Sequence, residues 1–251
     1  MQALEYYRSV PRYLLARCLA WCTPAWLVRL APLRLRRMVL ELPGRDWLIL
    51  RNRLCGICGS DLRLLKGAES WLMEPYASLP AVLGHEVVAE VAEAPAGSEW
   101  RPGDRVVVEP ILPCEVRGLE PCRFCAQGDY NLCENFTRGD LAPGVLVGFH
   151  RETGGGMAEF MAAHPSRLVR LPDHLPDREA VLTDSLASAL QPVLDHFPPD
   201  EATVLVYGAG IIGQHILRLL RLLPPSGFPG PAGGRGPPSF SAGTGPDRGR
   251  G

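Results

Sequence analysis

Four cysteines within twenty residues restrict this chain more than any other feature of its sequence. Cys122 and Cys125 form a Cys-x2-Cys pair, Cys133 follows eight positions later, and Cys114 stands eight positions before the pair. Four thiolates on one loop can close a tetrahedral zinc shell, which leaves no open position for a substrate. Disulfides or unrelated buried thiols are the alternative, but the close pair in a chain of cytoplasmic character favours metal. The spacing therefore predicts a structural zinc site.

A second group combines cysteine with histidine. Cys55 and Cys58 form another Cys-x2-Cys pair, and a Gly-His-Glu tripeptide supplies His85 and Glu86. One thiolate and one imidazole from two loops begin an open zinc site of the kind used in catalysis. Carboxylates that orient a metal-bound histidine are available nearby, in Asp61 and Glu86. Taken alone, the cysteine pair could also be half of a zinc ribbon.

A glycine-rich turn lies near the end of the chain. Gly208-x-Gly210-x-x-Gly213 follows an apolar run, 203–207, that predicts a buried parallel strand, and precedes a predicted helix, 214–223. In this context the glycines allow pyrophosphate to approach a helix N-terminus. An acidic residue for the ribose is expected about 20 positions later. There the chain has 28 residues with nine glycines and seven prolines, a composition that predicts disorder.

Between these motifs the pattern is mostly that of short strands and turns. Residues 13–30 predict an apolar helix and 178–194 a second helix, whereas short strands are expected at 3–7, 38–42, 47–54, 87–92 and 106–109. The texture changes after Pro172 from β-like to α/β. We therefore expect an irregular β domain followed by the start of a βαβ unit.

The charge balance limits the class of partner. The chain has 26 basic and 27 acidic residues, for a net charge of −1. That balance argues against nucleic-acid binding, including by a zinc ribbon, and against a polybasic membrane-surface protein. The stretch 13–30 is interrupted by Arg17, Pro24 and Arg29, so it is a poor bilayer span, and Glu5 ahead of it disfavours a secretory signal. A cytoplasmic protein is expected.

Several short segments occur in an order that points to one family. They are Gly-Ile-Cys-Gly-Ser-Asp at 56–61, Gly-His-Glu at 84–86, Gly-Asp-Arg-Val at 103–106, the cysteine lobe, Gly-Gly-Met-Ala-Glu-Phe at 155–160 and the glycine turn. Over about residues 35–223 this order resembles the zinc-dependent medium-chain dehydrogenases, the superfamily of alcohol, sorbitol and threonine dehydrogenases.

The resemblance implies a domain plan. Residues 1–172 would form a mostly β, GroES-like catalytic domain with a helical insert at about 13–30 and a structural zinc lobe at 114–133. Residues 173–223 would begin an NAD(P)-binding Rossmann domain that is incomplete, and 224–251 would be a disordered Gly/Pro-rich tail.

The resemblance also implies roles for individual residues. Cys58, His85 and Asp184 would bind the catalytic zinc, and Cys114, Cys122, Cys125 and Cys133 a second zinc. Ser60 would relay the substrate proton, Asp61 would support the ligand histidine, and Glu86 lies beside the ligands. Gly208, Gly210 and Gly213 would hold the pyrophosphate of NAD or NADP. Two departures are Leu119, where the family's first lobe cysteine usually stands, and Arg63, in place of a frequent histidine.

The implied activity is reversible hydride transfer between a small-molecule alcohol or polyol and a nicotinamide, with zinc as Lewis acid. The alternative, which we favour for this 251-residue chain, is a truncated and catalytically inactive zinc-binding remnant. A single βα unit supplies neither the ribose acid nor the second half of a dinucleotide site. An oligomer is expected for a full-length relative rather than for this chain.

Overall fold

The computed structural model describes residues 1–19, 28–69, 76–199 and 201–223. The strands are β1 (Gln2–Tyr6), β2 (Leu33–Arg37), β3 (Leu48–Cys55), β4 (Ala81–Val82), β5 (Val87–Glu93), β6 (Arg105–Val108), β7 (Phe160–Ala163) and β8 (Leu168–Arg170). The helices are α1 (Val10–Leu19), α2 (Gly59–Leu65), α3 (Asp177–Ala180), α4 (Thr183–Asp195) and α5 (Ile211–Leu222).

Two antiparallel sheets form the first part of the chain. The larger has the strand order β7-β3-β5-β6-β8, and the smaller has the order β2-β1-β4. In the larger sheet β3 pairs with both β5 and β7, with a register shift between Asn52 and Leu54. The central strands carry Val, Ile, Leu and Ala, which suit a pleated surface buried on its faces. This agrees with the predicted mostly β, GroES-like domain.

The main core lies on this larger sheet. It includes Leu48, Leu50, Val91, Val106 and Met161, none more than 1% exposed. Burying each such side chain contributes about 1.5–3 kcal/mol relative to leaving it in water. The core therefore fixes β3 and β5, whose ends lead directly into the loops that carry the motif residues.

One strand expected from the sequence is wrong in position. Residues 38–42 form no strand, and Val39 is 81% exposed. Strand β2 lies five residues earlier because Leu33–Arg37 pairs with β1 from Tyr6 back to Gln2. The predicted helix 178–194 is also divided, into α3 and α4. Part of the 13–30 insert and the whole of 224–251 lie outside the described residues.

The chain divides into two compact units, Met1–Thr183 and Asp184–Gly251. The sequence-based boundary after residue 172 is a different division and stays a prediction. Within the second unit, α4 and α5 share a small apolar cluster of Ala189, Val193, Leu219 and Leu220. None of the described helices is both long and apolar enough to cross a lipid bilayer.

The strand expected at 203–207 does not form. Leu205 is 87% exposed and Tyr207 fully exposed, and no strand is assigned to the segment. A parallel strand is stable only beside a neighbour, and the described part of the second unit contains no strand. The glycine turn itself is present: Gly208 has φ +109°, and Gly210 is the N-cap of α5.

Two candidate metal centres

The four cysteines of the lobe converge on one point. The sulfur atoms of Cys114, Cys122, Cys125 and Cys133 all lie within 4.8 Å of one another. The Cys114 and Cys133 sulfurs are 3.6 Å apart, much longer than a disulfide bond of about 2.05 Å. Bonds of about 2.3 Å to a tetrahedral zinc would place two sulfurs about 3.8 Å apart. The spacing of the sulfurs therefore fits a metal rather than a disulfide.

Backbone and side-chain N–H groups point at these sulfurs. Cys122 N donates to Cys114 Sγ at 3.4 Å, and Asn135 donates to Cys133 Sγ through its backbone and to Cys114 Sγ through its side chain. Hydrogen bonds from backbone N–H groups, that of Glu134 first, lower the pKa of Cys122 to about 6, whereas burial raises the pKa of Cys125 and of Cys133. Donors of this kind favour the thiolate, which is the form that binds metal. Leu119, at the position of the family's usual cysteine, packs against the cluster as an apolar wall.

A buried arginine lies beside the lobe. Arg117 is fully buried, and its guanidinium donates to five backbone carbonyls, those of Leu112, Arg138, Leu141, Ala142 and Gly144. Burial lowers its pKa, whereas the nearby Cys133 and Cys114 raise it. Arg117 thus ties the lobe to the segment 138–144 that follows it.

The second group is built from two loops. Cys58 is the N-cap of α2, and His85 and Glu86 lie between β4 and β5. One ligand atom from each of these three residues lies within 4.8 Å of the others. The imidazole is buried, and the other two side chains are half-buried. A thiolate, an imidazole and a carboxylate form a donor set that zinc accepts in open sites.

Local contacts hold the cysteine of this centre. The backbone N–H of Cys58 donates to Asp61 Oδ2 at 2.9 Å, and Asp61 is 1% exposed. Burial raises the pKa of Asp61, while the His85 charge lowers it. A hydrogen bond with His85 lowers the pKa of Cys58. Asp61 therefore fixes the backbone of the cysteine, and its role in supporting His85 stays a prediction.

Gly56 has no room for a side chain. A Cβ at this position would lie 2.0 Å from Glu86 Oε2, and Gly56 N donates to Glu86 O at 2.8 Å. Cys55 points away: its sulfur packs against Gly84 and Gly156, and burial raises its pKa to about 12. Among the described residues, Cys55 belongs to neither metal-ligand group. The two cysteines of this pair thus separate, unlike those of a zinc ribbon.

One neighbour of His85, the aromatic residue Phe149, is not predicted from the sequence. The ring of Phe149 lies 5.6 Å from that of His85, tilted by 45°. Phe149 also packs against the small cluster that contains Tyr6, Leu64 and Leu83. No local pattern marks it, because it lies 64 positions from His85 in the chain.

Two sets of predicted site residues belong to the second unit. Asp184 lies in the first turn of α4, and its role as a zinc ligand stays a prediction. Gly213 packs closely on the start of the glycine turn, since a Cβ there would lie 2.0 Å from Gly208 O. The role of Gly208, Gly210 and Gly213 in cofactor binding also stays a prediction.

Comparison with known proteins gives a consistent result. Residues 44–173 match the family described as alcohol dehydrogenase GroES-like domain. The chain is 31% identical to starvation-sensing protein RspB of Escherichia coli K12, over 71% of this chain and 47% of that protein. It is 34% identical to L-threonine 3-dehydrogenase of Chelativorans sp., over 71% of this chain and 47% of the relative. Erythritol/L-threitol dehydrogenase of Mycolicibacterium smegmatis is 33% identical, over 66% and 44% respectively.

Solved structures agree. A protein of Sinorhizobium meliloti 1021 described as a zinc-binding dehydrogenase, bound to NADP, superposes with a TM-score of 0.62 at 30% identity, over 76% of this chain and 50% of that one. The alcohol dehydrogenase TADH of Thermus sp. ATN1 gives a TM-score of 0.62 at 25% identity, over 87% and 54%. The chain spans about half the length of the curated relatives it matches. With the sheet order and the two cysteine-centred groups, these matches show that the chain belongs to the zinc-dependent medium-chain dehydrogenases.

Proposed function

We propose that this chain carries the catalytic domain of an NAD(P)-linked, zinc-dependent alcohol or polyol dehydrogenase. One observation carries the proposal: Cys58, His85 and Glu86 converge, and Ser60 lies two positions after Cys58 in the chain. The named activities of its relatives, on threonine and on erythritol or threitol, support an alcohol as the substrate class.

The side chains divide the work at this centre. When bound, zinc supplies a Lewis acid that lowers the pKa of an alcohol oxygen. Cys58 and His85 would hold it, with a carboxylate from Glu86 or Asp184 as third ligand. Either carboxylate, together with the one thiolate, balances the charge of the ion. Ser60 would pass the alcohol proton outward. Asp61 keeps Cys58 in place by accepting a hydrogen bond from the backbone N–H of Cys58.

The four-cysteine lobe would hold a second, structural zinc. Its sulfurs fill a tetrahedral shell, so no position is left for substrate. The N–H donors from Cys122 and Asn135 would stabilise the thiolates that such a site requires.

Metal content tests both centres. Elemental analysis of the purified chain should give two zinc ions per chain. Cys114→Ser and Cys58→Ser should each lose one, since each removes a ligand of a different centre. The matched control is Cys18→Ser, because Cys18 is exposed and outside both groups. One zinc or none in the parent, with no metal lost during purification, would contradict the proposal.

The third ligand can be assigned by the same measurement. Glu86→Gln and Asp184→Asn remove one candidate carboxylate each while keeping the side-chain shape. The variant that loses the zinc of the Cys58 centre identifies the ligand. Cobalt substitution adds a visible spectrum that reports the coordination of that centre.

The second candidate function is zinc binding without turnover. The segment 203–207, which leads into the glycine turn, forms no strand and exposes Leu205 and Tyr207. A dinucleotide binds at the carboxyl edge of a parallel sheet, and that edge is not built in the described residues.

Cofactor titration separates the two candidates. If the chain binds zinc without turnover, NADH and NADPH fluorescence should show no saturable change on adding the zinc-loaded chain, and NAD and NADP should show no alcohol-dependent reduction. A full-length relative, assayed in parallel, is the positive control. Turnover with either cofactor would overturn the inactive alternative and leave the first proposal standing.

A further inference from the structure

A histidine that binds a metal ion has to hold its ring at one rotation. The last side-chain torsion of histidine, χ2, has broad preferences, so the side chain by itself does not fix the plane of the imidazole. A zinc–nitrogen bond of about 2.0–2.1 Å requires that the ligand nitrogen point at the ion. Contacts from the fold must therefore set the rotation of His85, which is 6% exposed.

Two contacts of the His85 ring differ in what metal binding does to them. A hydrogen bond joins the ring to the Cys58 thiol. This bond would be exchanged for bonds to the ion when both side chains bind it. The ring of Phe149 lies 5.6 Å from that of His85, tilted by 45°, which is within the range of about 4.5–7 Å for favourable aromatic pairs. The contact with Phe149 uses no ligand atom, so it persists in the metal-bound centre.

The backbone of Phe149 is packed on the loop that carries His85. A Cβ at Gly148 would lie 2.7 Å from the carbonyl carbon and oxygen of Gly84, so the two chains touch at these glycines. The carbonyl oxygen of Phe149 accepts a hydrogen bond from the backbone N–H of Ser78 at 3.0 Å. Because the two loops are in direct backbone contact, the two rings cannot separate unless the chain itself shifts.

The side chain of Phe149 also packs against an apolar cluster. The buried members of this cluster are Tyr6, Leu64 and Leu83. Leu64 belongs to α2, the helix that has Cys58 as its N-cap. Since close-packed side chains hold one another in place, Phe149 links the imidazole of His85 to the core beside the helix of the other ligand.

We propose that Phe149 is a positioning residue of the zinc centre, which holds the His85 imidazole at the rotation that binding requires. The inference rests on the proposed function, because it needs zinc bound by Cys58 and His85. A metal-bound imidazole is electron-poor, and the π system of a phenyl ring attracts positive charge, so the contact favours the metal-bound state. An aliphatic side chain of similar size would fill the space without supplying this attraction.

The zinc affinity of the Cys58 centre, measured on the full chain by competition with a chelator, tests the proposal. Phe149→Leu should weaken zinc binding at this centre about tenfold, the lower end of the loss expected when a group that orients a metal ligand is removed. Phe149→Tyr keeps the ring and should bind zinc within about twofold of the parent. Both variants should keep the zinc affinity of the four-cysteine lobe.

Cobalt loading gives a second readout, which a loss of packing alone would not change. The visible bands of the Cys58 centre are obtained by subtracting the spectrum of cobalt-loaded Cys58→Ser from that of the cobalt-loaded parent. These bands report the geometry of the ligands. Phe149→Leu should shift them, and Phe149→Tyr should leave them in place.

Leu33→Ala is the matched control, because Leu33 packs against the same apolar cluster. It should lose stability in urea but keep the zinc affinity and the cobalt bands of the Cys58 centre. If Phe149→Leu does not fold, Phe149→Met, which fills the space without a ring, replaces it in every comparison.

Three results would overturn the inference alone: Phe149→Leu keeps the affinity and bands of the parent, Phe149→Tyr binds as weakly as Phe149→Leu, or Leu33→Ala loses as much affinity. A parent chain that binds metal only in the four-cysteine lobe would overturn the proposed function and this inference together.

Discussion

Replacing Arg117 should reveal how the cysteine lobe is held to the domain. Its guanidinium is buried, and three of its five carbonyl acceptors, those of Leu112, Leu141 and Gly144, are buried with it. Arg117→Met keeps much of the side-chain volume but removes every donor. The segment 138–144 then loses the contacts that fix its path beside the lobe.

The expected cost follows from the carbonyls left without a donor. Each buried acceptor that loses its partner costs about 1–3 kcal/mol. Removing the guanidinium recovers part of its desolvation penalty, so we expect a net loss of about 3–5 kcal/mol. Arg117→Lys keeps the charge but has only three donors, so we expect a smaller loss, about 2–3 kcal/mol. At about 2–4 °C per kcal/mol, Arg117→Met should lower Tm by about 10 °C.

Urea denaturation followed by tryptophan fluorescence measures this loss, since Trp47 and Trp100 are buried in the core of the same unit. Arg123→Met is the matched control. Arg123 is also on the lobe, but its side chain is 72% exposed and pairs with an exposed Glu134. A surface pair of this kind contributes less than about 1 kcal/mol. If both variants lose the same stability, the buried carbonyls have found water and the reasoning is refuted.

Two further predictions concern the second metal centre and the pH dependence of stability. Gly56→Ala should lose the zinc of the Cys58 centre and keep that of the lobe, because its Cβ would displace Glu86; Gly59→Ala, whose Cβ meets open space, should keep both. Two zinc ions in Gly56→Ala would contradict this. Burial lowers the pKa of His150 below 6.5, so the unfolded chain binds more protons and stability should fall as pH drops below about 6.5. Denaturation at about pH 7 and about pH 5 should show that the free energy of unfolding falls less between these pH values in His150→Gln than in the parent. Equal falls in the two proteins would exclude His150 as a source of the pH dependence.

Local patterns in the sequence predict a large part of this fold. The strands at 48–55, 87–93 and 105–108 follow apolar runs bounded by turn residues, so their positions agree with expectation within a residue or two. Parts of the two metal-ligand groups were also recognisable, because Cys122 lies close to Cys125 in the chain, and His85 lies next to Glu86.

Other features depended on contacts between distant segments. The predicted position of the second strand, 38–42, was wrong because pairing with β1, not the strand's own composition, sets the position of β2. The expected strand at 203–207 does not form because strand propensity needs a neighbouring strand to become structure.

The sequence by itself determined the ligand types of both centres, the β character of the first unit and the glycine turn, because each depends on residues a few positions apart. Only the tertiary structure decided that Cys114 completes the lobe, that Glu86 reaches the Cys58 centre and that Phe149 packs on His85. It also decided that Arg117 is buried among carbonyls. These contacts arise where separate loops pack on one core, and the distance between two loops is not encoded in the local pattern of either.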